Sequence, residues 1–137
     1  MKIFDNDNNL LAIVIKKQEI QDGKNFFTEN ELEFQVASFS LNSQAKIERH
    51  YHPEQNREIS GTTEVLIVME GKMEFEIYDK NMELITTEII ESGEAIALFN
   101  GGHGIKMLED TKFFEVKQGP YLGQNADKYT FWCNEKL

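Results

Sequence analysis

Three histidines are all the chain contains, and two of them, His50 and His52, stand one residue apart. In an extended strand, residues two apart point to the same side. The two imidazoles are therefore expected to project together, with Arg49 and Tyr51 facing away. This is the chelating arrangement that β-structure offers. Imidazole nitrogens joined by a carboxylate oxygen suit borderline divalent ions such as iron, manganese, nickel, copper or zinc. Carboxylates follow at Glu54, Glu58 and Glu64, and the third histidine, His103, lies well downstream.

The elements that must carry these groups read mostly as strands. Residues 32–41 alternate apolar and polar with period two, which places the apolar side chains on one sheet face. Val65-Leu66-Ile67-Val68-Met69 is a continuous aliphatic run that breaks at Glu70-Gly71-Lys72 and resumes, alternating, through Met73 to Tyr78. That pattern is expected to be a hairpin. Asp79-Lys80-Asn81 turns the chain into residues 83–90, and Ser92-Gly93-Glu94 punctuates before residues 95–99. Glu109-Asp110-Thr111 separates the last two runs, 104–108 and 112–117. Short strands at this spacing, with no convincing amphipathic helix, indicate an all-β sandwich or barrel. The first thirty or so residues, less regular, are expected to add edge strands. The stretch after Pro120 is expected to pack as a tail anchored by Phe131 and Trp132.

Length and composition fit one domain spanning residues 1–137, with N-terminal strands over 1–31, a core over 32–121 and a tail over 122–137. The 24 acidic residues outnumber the 14 basic ones, for a formal net charge of −10. A nucleic acid or an anionic membrane would be repelled, so neither is expected as a partner. The single cysteine, Cys133, has no internal disulfide partner and is read as a packing residue of a reducing, cytoplasmic protein. The N-terminus shows no secretory signal, and Leu10 to Ile15 is far short of the roughly 20 residues of a membrane span.

Taken together, the histidine segments resemble the cupin superfamily. The first cupin motif runs His-x-His, then Glu, six residues and Gly; His50, His52, Glu64 and Gly71 follow it. The second runs Gly, five residues, Pro, one residue, Gly, two residues and His; Gly93, Phe99, Gly101 and His103 follow it. Phe99 stands for the proline, and only Gly102 separates Gly101 from the histidine. The gap from His52 to Glu64 is longer than usual, and Gln44 replaces a glycine ahead of the first histidine. The similarity covers roughly His50 to Met107. It implies a cupin-type β-barrel, a jelly roll of two antiparallel sheets, with a divalent metal held by His50, His52, Glu64 and His103. Glu54 or Glu58 are alternatives for the carboxylate.

Within such a barrel, Ile105 and Met107 share His103's face and would form the apolar pocket wall. Glu115 and Lys117 look into the barrel in one strand register and into solvent in the other. In the first register, Lys117 is able to meet a substrate anion. Gly119-Pro120 is a turn that would bring Tyr121 close, and Arg57 is able to reach over the mouth. Gly101-Gly102 would let the backbone approach an ion or ligand. The resemblance implies a site rather than a reaction. The leading expectation is isomerisation or epimerisation of a sugar or keto acid, the ion acting as Lewis acid and Lys117, Glu115 or Tyr121 moving protons. The segment from Gly61 to Tyr121 is similar to small cupins of bacterial surface-polysaccharide pathways. An iron-dependent dioxygenase and a non-catalytic binding or sensing barrel are the alternatives, and a homodimer is the expected assembly.

Overall fold

The structure, a computed structural model, describes residues 1–132. Cys133 lies outside them. Among the described residues, ten strands form three antiparallel sheets. The largest is ordered β1 (Lys2–Phe4), β2 (Leu10–Ile15), β8 (Ala95–Leu98), β5 (Glu64–Glu70) and β10 (Lys112–Lys117). A second sheet is ordered β7 (Leu84–Glu91), β6 (Lys72–Tyr78) and β9 (Gly102–Met107), and a small third one pairs β3 (Gly23–Phe26) with β4 (Ala37–Ser40). A 3-10 turn spans Lys17–Glu19, and one short helix, α1 (Gln124–Asp127), lies in the tail. No helix among the described residues is long and apolar enough to cross a membrane.

The five-stranded sheet is apolar on both faces, which is why β2 reads Leu-Leu-Ala-Ile-Val-Ile without alternation. Its inner face (Ala12, Val14, Leu66, Val68, Ile96 and Leu98) packs against Met73, Phe75, Ile77 and Ile90 of the three-stranded sheet in one core. On its outer face, Ile13, Ile15, Val65 and Ala97 are covered by Phe27, Phe34 and Val36 from the β3–β4 region. Beyond that cover, Ile67, Met69, Phe114 and Val116 remain exposed.

Three of the glycines that punctuate the sequence mark crossings between the sheets. Gly71, Gly93 and Gly101 all have positive φ, a backbone region that side chains with a Cβ disfavour. At Gly71 the chain leaves β5 in one sheet and enters β6 in the other, so the expected hairpin of residues 65–78 does not form. Strand β5 pairs instead with β8 and β10, and β6 with β7 and β9. The hairpin of this region is β6–β7, turned by Asp79, whose Oδ1 accepts from the backbone N–H groups of Asn81 and Glu83.

Other expectations need correction. The strand read over 32–41 is limited to Ala37–Ser40; Phe34 and Val36 leave the alternation to pack on the large sheet. Of the N-terminal strands, β1 is an edge of the large sheet as expected, whereas β2 is interior to it. Of the two tail anchors, Phe131 stacks edge-on against Tyr78 at 5.1 Å between centroids, while Trp132 is 91% exposed. Residues 41–62 form no strand and are exposed throughout, so His50 and His52 do not sit on a paired strand.

Candidate functional site

In an antiparallel pair, directly opposed residues share a sheet face. Glu64 opposes Lys117, Leu66 opposes Glu115 and Val68 opposes Phe113. Leu66 and Val68 belong to the inner core, so Glu64, Glu115 and Lys117 also face inward. Of the two registers open for β10, the structure takes the one that turns Lys117 and Glu115 between the sheets. The same reasoning applies to β9, where His103, Ile105 and Met107 oppose the core residues Ile77, Phe75 and Met73. Ile105 and Met107 therefore do share His103's face. Each is more than a third exposed, because β9 and β10 are the edges of their sheets and the space between them is open.

Glu64 begins β5, Lys117 ends β10 and His103 lies at the start of β9, so all three gather at one end of the sandwich. His103 Nε2 lies 3.3 Å from Glu64 Oε2, a contact that joins the two sheets. Lys117 Nζ lies 3.7 Å from Glu64 Oε1, 3.1 Å from Glu115 and 2.9 Å from Asp127 Oδ2 in α1. Its ammonium also stands 5.8 Å from the centroid of the mostly exposed Tyr121 ring.

The electrostatics follow from these distances. Hydrogen bonding from His103 holds the Glu64 carboxyl below the ordinary carboxylate value, outweighing the burial that pushes it up. The carboxylates of Asp127 and Glu115 push Lys117 well above the ordinary lysine value. Lys117 is therefore a fixed positive charge rather than a base at neutral pH, and three carboxylates already surround it. The surroundings disfavour a further anion there.

The remaining sequence candidates lie elsewhere. His50 and His52 meet each other, with ring centroids 5.2 Å apart and planes at 81°, and His50 Nδ1 lies 2.8 Å from the Glu48 carbonyl. Glu54, Arg57 and Glu58 belong to the same exposed stretch, with Arg57 contacting Gln55. Two expected metal ligands thus meet in the sandwich and two meet outside it. Among the described residues, no three His, Cys, Asp or Glu side chains are grouped to hold an ion. As folded, these residues do not make a four-ligand centre.

Gly101 and Gly102 serve packing. A Cβ on Gly101 would lie 2.1 Å from the Tyr78 carbonyl oxygen, and one on Gly102 would lie 2.7 Å from the Phe131 ring. Asp127 was not legible as a site residue, because only the folding back of the tail carries it to Lys117. Gln118, next to Lys117, carried no sequence signal either; its Oε1 accepts the Thr63 backbone N–H at 2.7 Å.

Comparison of this chain with family models, with curated proteins and with solved structures returns no match.

Proposed function

We propose that the chain is a cupin-type jelly roll that isomerises or epimerises a small oxygenated molecule at the end of the sandwich where Glu64 and His103 meet. The observation that carries this reading is the 3.3 Å contact between His103 Nε2 and Glu64 Oε2. A carboxylate beside an imidazole orients the ring, which suits His103 to take a proton from carbon and return it. Both groups keep some exposure, 32% for His103 and 18% for Glu64, so a substrate has access. Ile105 and Met107 supply the apolar wall. Lys117 acts electrostatically, fixing the Glu64 carboxylate in its charged form, and Tyr121 stands within reach of Lys117. Three carboxylates against one ammonium favour a neutral sugar over a keto acid.

The test is exchange of carbon-bound hydrogen in deuterated water. Free aldoses, ketoses and their keto-deoxy analogues are incubated with the protein and followed by proton NMR. Loss of a resonance next to a carbonyl, abolished in His103→Gln, supports the reading. No exchange with the protein, whether metal-free or loaded with iron, manganese or zinc, would sink it.

A second reading has its own support. The paired rings of His50 and His52 are suited to complete, with Glu64 and His103, a set for one divalent ion if the 41–62 stretch moves over the sandwich. Elemental analysis of the protein and of His50→Ala decides this: metal near one equivalent, lost in the variant, is the expected sign. Oxygen consumption by an iron-loaded sample would turn the chemistry to a dioxygenase. Saturable binding with neither exchange nor oxygen uptake would leave a binding barrel.

A further inference from the structure

After β10 the chain doubles back over the end of the sandwich where Glu64 and His103 meet, and two contacts pin it there. The first is on the inside: Asp127 Oδ2 lies 2.9 Å from Lys117 Nζ, and Lys117 faces between the sheets. The second is on the outside. His103 opposes the core residue Ile77, so its neighbour Gly102, which opposes Tyr78, faces the outer side of the three-stranded sheet. Phe131 lies on that outer side, edge-on to Tyr78 at 5.1 Å. It sits so close to Gly102 that a Cβ there would stand 2.7 Å from its ring. Gly102 does not have a positive φ, so its backbone does not require glycine; its missing side chain makes the seat for Phe131. Lys128, Tyr129 and Thr130, all exposed, join the two pins. The chain between Cα atoms 127 and 131 reaches at most about 14 Å, too short for a detour. Residues 128–130 must therefore round the start of β9, beside His103, to pass from one side of its sheet to the other.

We propose that residues 123–132 are a strap across the Glu64–His103 site, which opens when Phe131 leaves its seat on Gly102 and closes when the ring returns. The two pins are unequal. Asp127 and Lys117 form a charged pair whose side chains are 18% and 25% exposed, whereas Phe131 is held by aromatic contact and is followed by Trp132, 91% exposed. Short helix α1 buries no residue, and Tyr129 is 88% exposed. Segments with so few buried apolar contacts open at low cost while the rest of the fold stays intact. Release of the outer pin frees residues 128–130 from the start of β9 and uncovers His103, while the inner pin keeps the strap tethered to Lys117. Such a strap admits a small molecule to His103 and then shields it from water. The strap stands on the path of the chain; that what it admits is a substrate rests on the proposed function.

The test is the rate at which diethyl pyrocarbonate acylates each histidine of the full chain, read by peptide mass spectrometry. His50 and His52, in the exposed 41–62 stretch, serve as references. Phe131→Ala is expected to raise the His103 rate roughly three- to tenfold, the change in an opening equilibrium when one aromatic contact is lost, and to leave the two reference rates as they are. Gly102→Ala unseats the ring from the sheet side with the tail intact, and is expected to do the same. Neither variant alters a charge, so the rate reports access. The double variant is expected to add nothing to either single one, since both release the same pin, and Trp132→Phe is expected to change nothing. The proposal is overturned if His103 reacts no faster in Phe131→Ala and Gly102→Ala, if Trp132→Phe accelerates it equally, or if all three histidines accelerate together. Acylation needs no turnover, which separates the two readings. Acceleration without any deuterium exchange would remove the proposed reaction and keep the strap, whereas exchange without acceleration would remove the strap alone.

Discussion

Replacing Lys117 by methionine would leave Glu64, Glu115 and Asp127 facing one another without the ammonium that now lies 3.7, 3.1 and 2.9 Å from them. Removing one partner of a fully buried ion pair costs about 3–5 kcal/mol, whereas an exposed pair is worth about 0–1 kcal/mol. A quarter of the Lys117 side chain is exposed, as is 18% of Glu64 and of Asp127. Screening by solvent therefore places the loss between those limits, at about 1.5–3 kcal/mol. For a chain of this length that lowers Tm by roughly 4–10 °C. The pH dependence provides the sharper check. In the wild type the folded Lys117 value is raised, so its stabilisation is whole at neutral pH and fades only as pH rises through that value. In the variant, uncompensated carboxylates bind protons more readily folded than unfolded. Its deficit is then largest at neutral pH and shrinks as pH falls through the ordinary carboxylate range, about pH 5 to 4. Urea midpoints of wild type, Lys117→Met and Lys117→Arg across that range measure it, and the arginine variant should lose less because it keeps the charge. A methionine variant as stable as wild type at neutral pH, or a deficit unchanged in acid, would refute the electrostatic account.

Three further outcomes are expected. His103→Leu removes the donor that holds the Glu64 carboxyl low. A depressed folded value means stabilisation present above the unfolded value and lost as pH falls through the folded one. Its loss should therefore begin at higher pH in the variant, with carbon-13 NMR of the carboxyl showing the upward shift. Gly101→Ala forces a Cβ to 2.1 Å from the Tyr78 carbonyl at φ +76°, and should cost about 3 kcal/mol or more in thermal unfolding. Phe75→Ala empties the centre of the core, where Phe75 is fully buried, and should cost about 3–5 kcal/mol by urea titration.

Strand parity was the most legible part of this chain. The alternation of His103, Ile105 and Met107, and of Phe113, Glu115 and Lys117, assigns each set to one face whatever the strands pair with, and both sets face inward. What parity does not contain is the partner. Gly71 breaks an apolar run in the same way whether the chain then doubles back beside itself or crosses to a facing sheet, and here it crosses. Hydrogen bonds between β5 and β10, which bring Glu64 opposite the distant Lys117, leave no local trace to separate the two. Asp127 was hidden for the same reason, since its role depends on a tail folding back onto β10.

The histidine pair shows the limit from the other side. The His50-x-His52 spacing aligns two rings only if the backbone between them is extended, and a strand needs a neighbour to receive its hydrogen bonds. The stretch around it offers little to hold it against a sheet: Leu41, Ile47, Tyr51 and Ile59 are scattered singly among charged and polar residues, and all four are exposed. Glu64 differs because it leads into a buried run. Val65, Leu66 and Val68 pack into the two cores, and their burial sets the position of the carboxylate that precedes them. His103 is set likewise by the pairing of β9 with the buried strand β6. A side chain adjoining a buried run is located by the core, whereas one flanked by solvated residues is located only by what binds it. For that reason the proposed reaction site rests on Glu64 and His103, and the proposed ion would draw in His50 and His52 only by a movement of residues 41–62 over the sandwich.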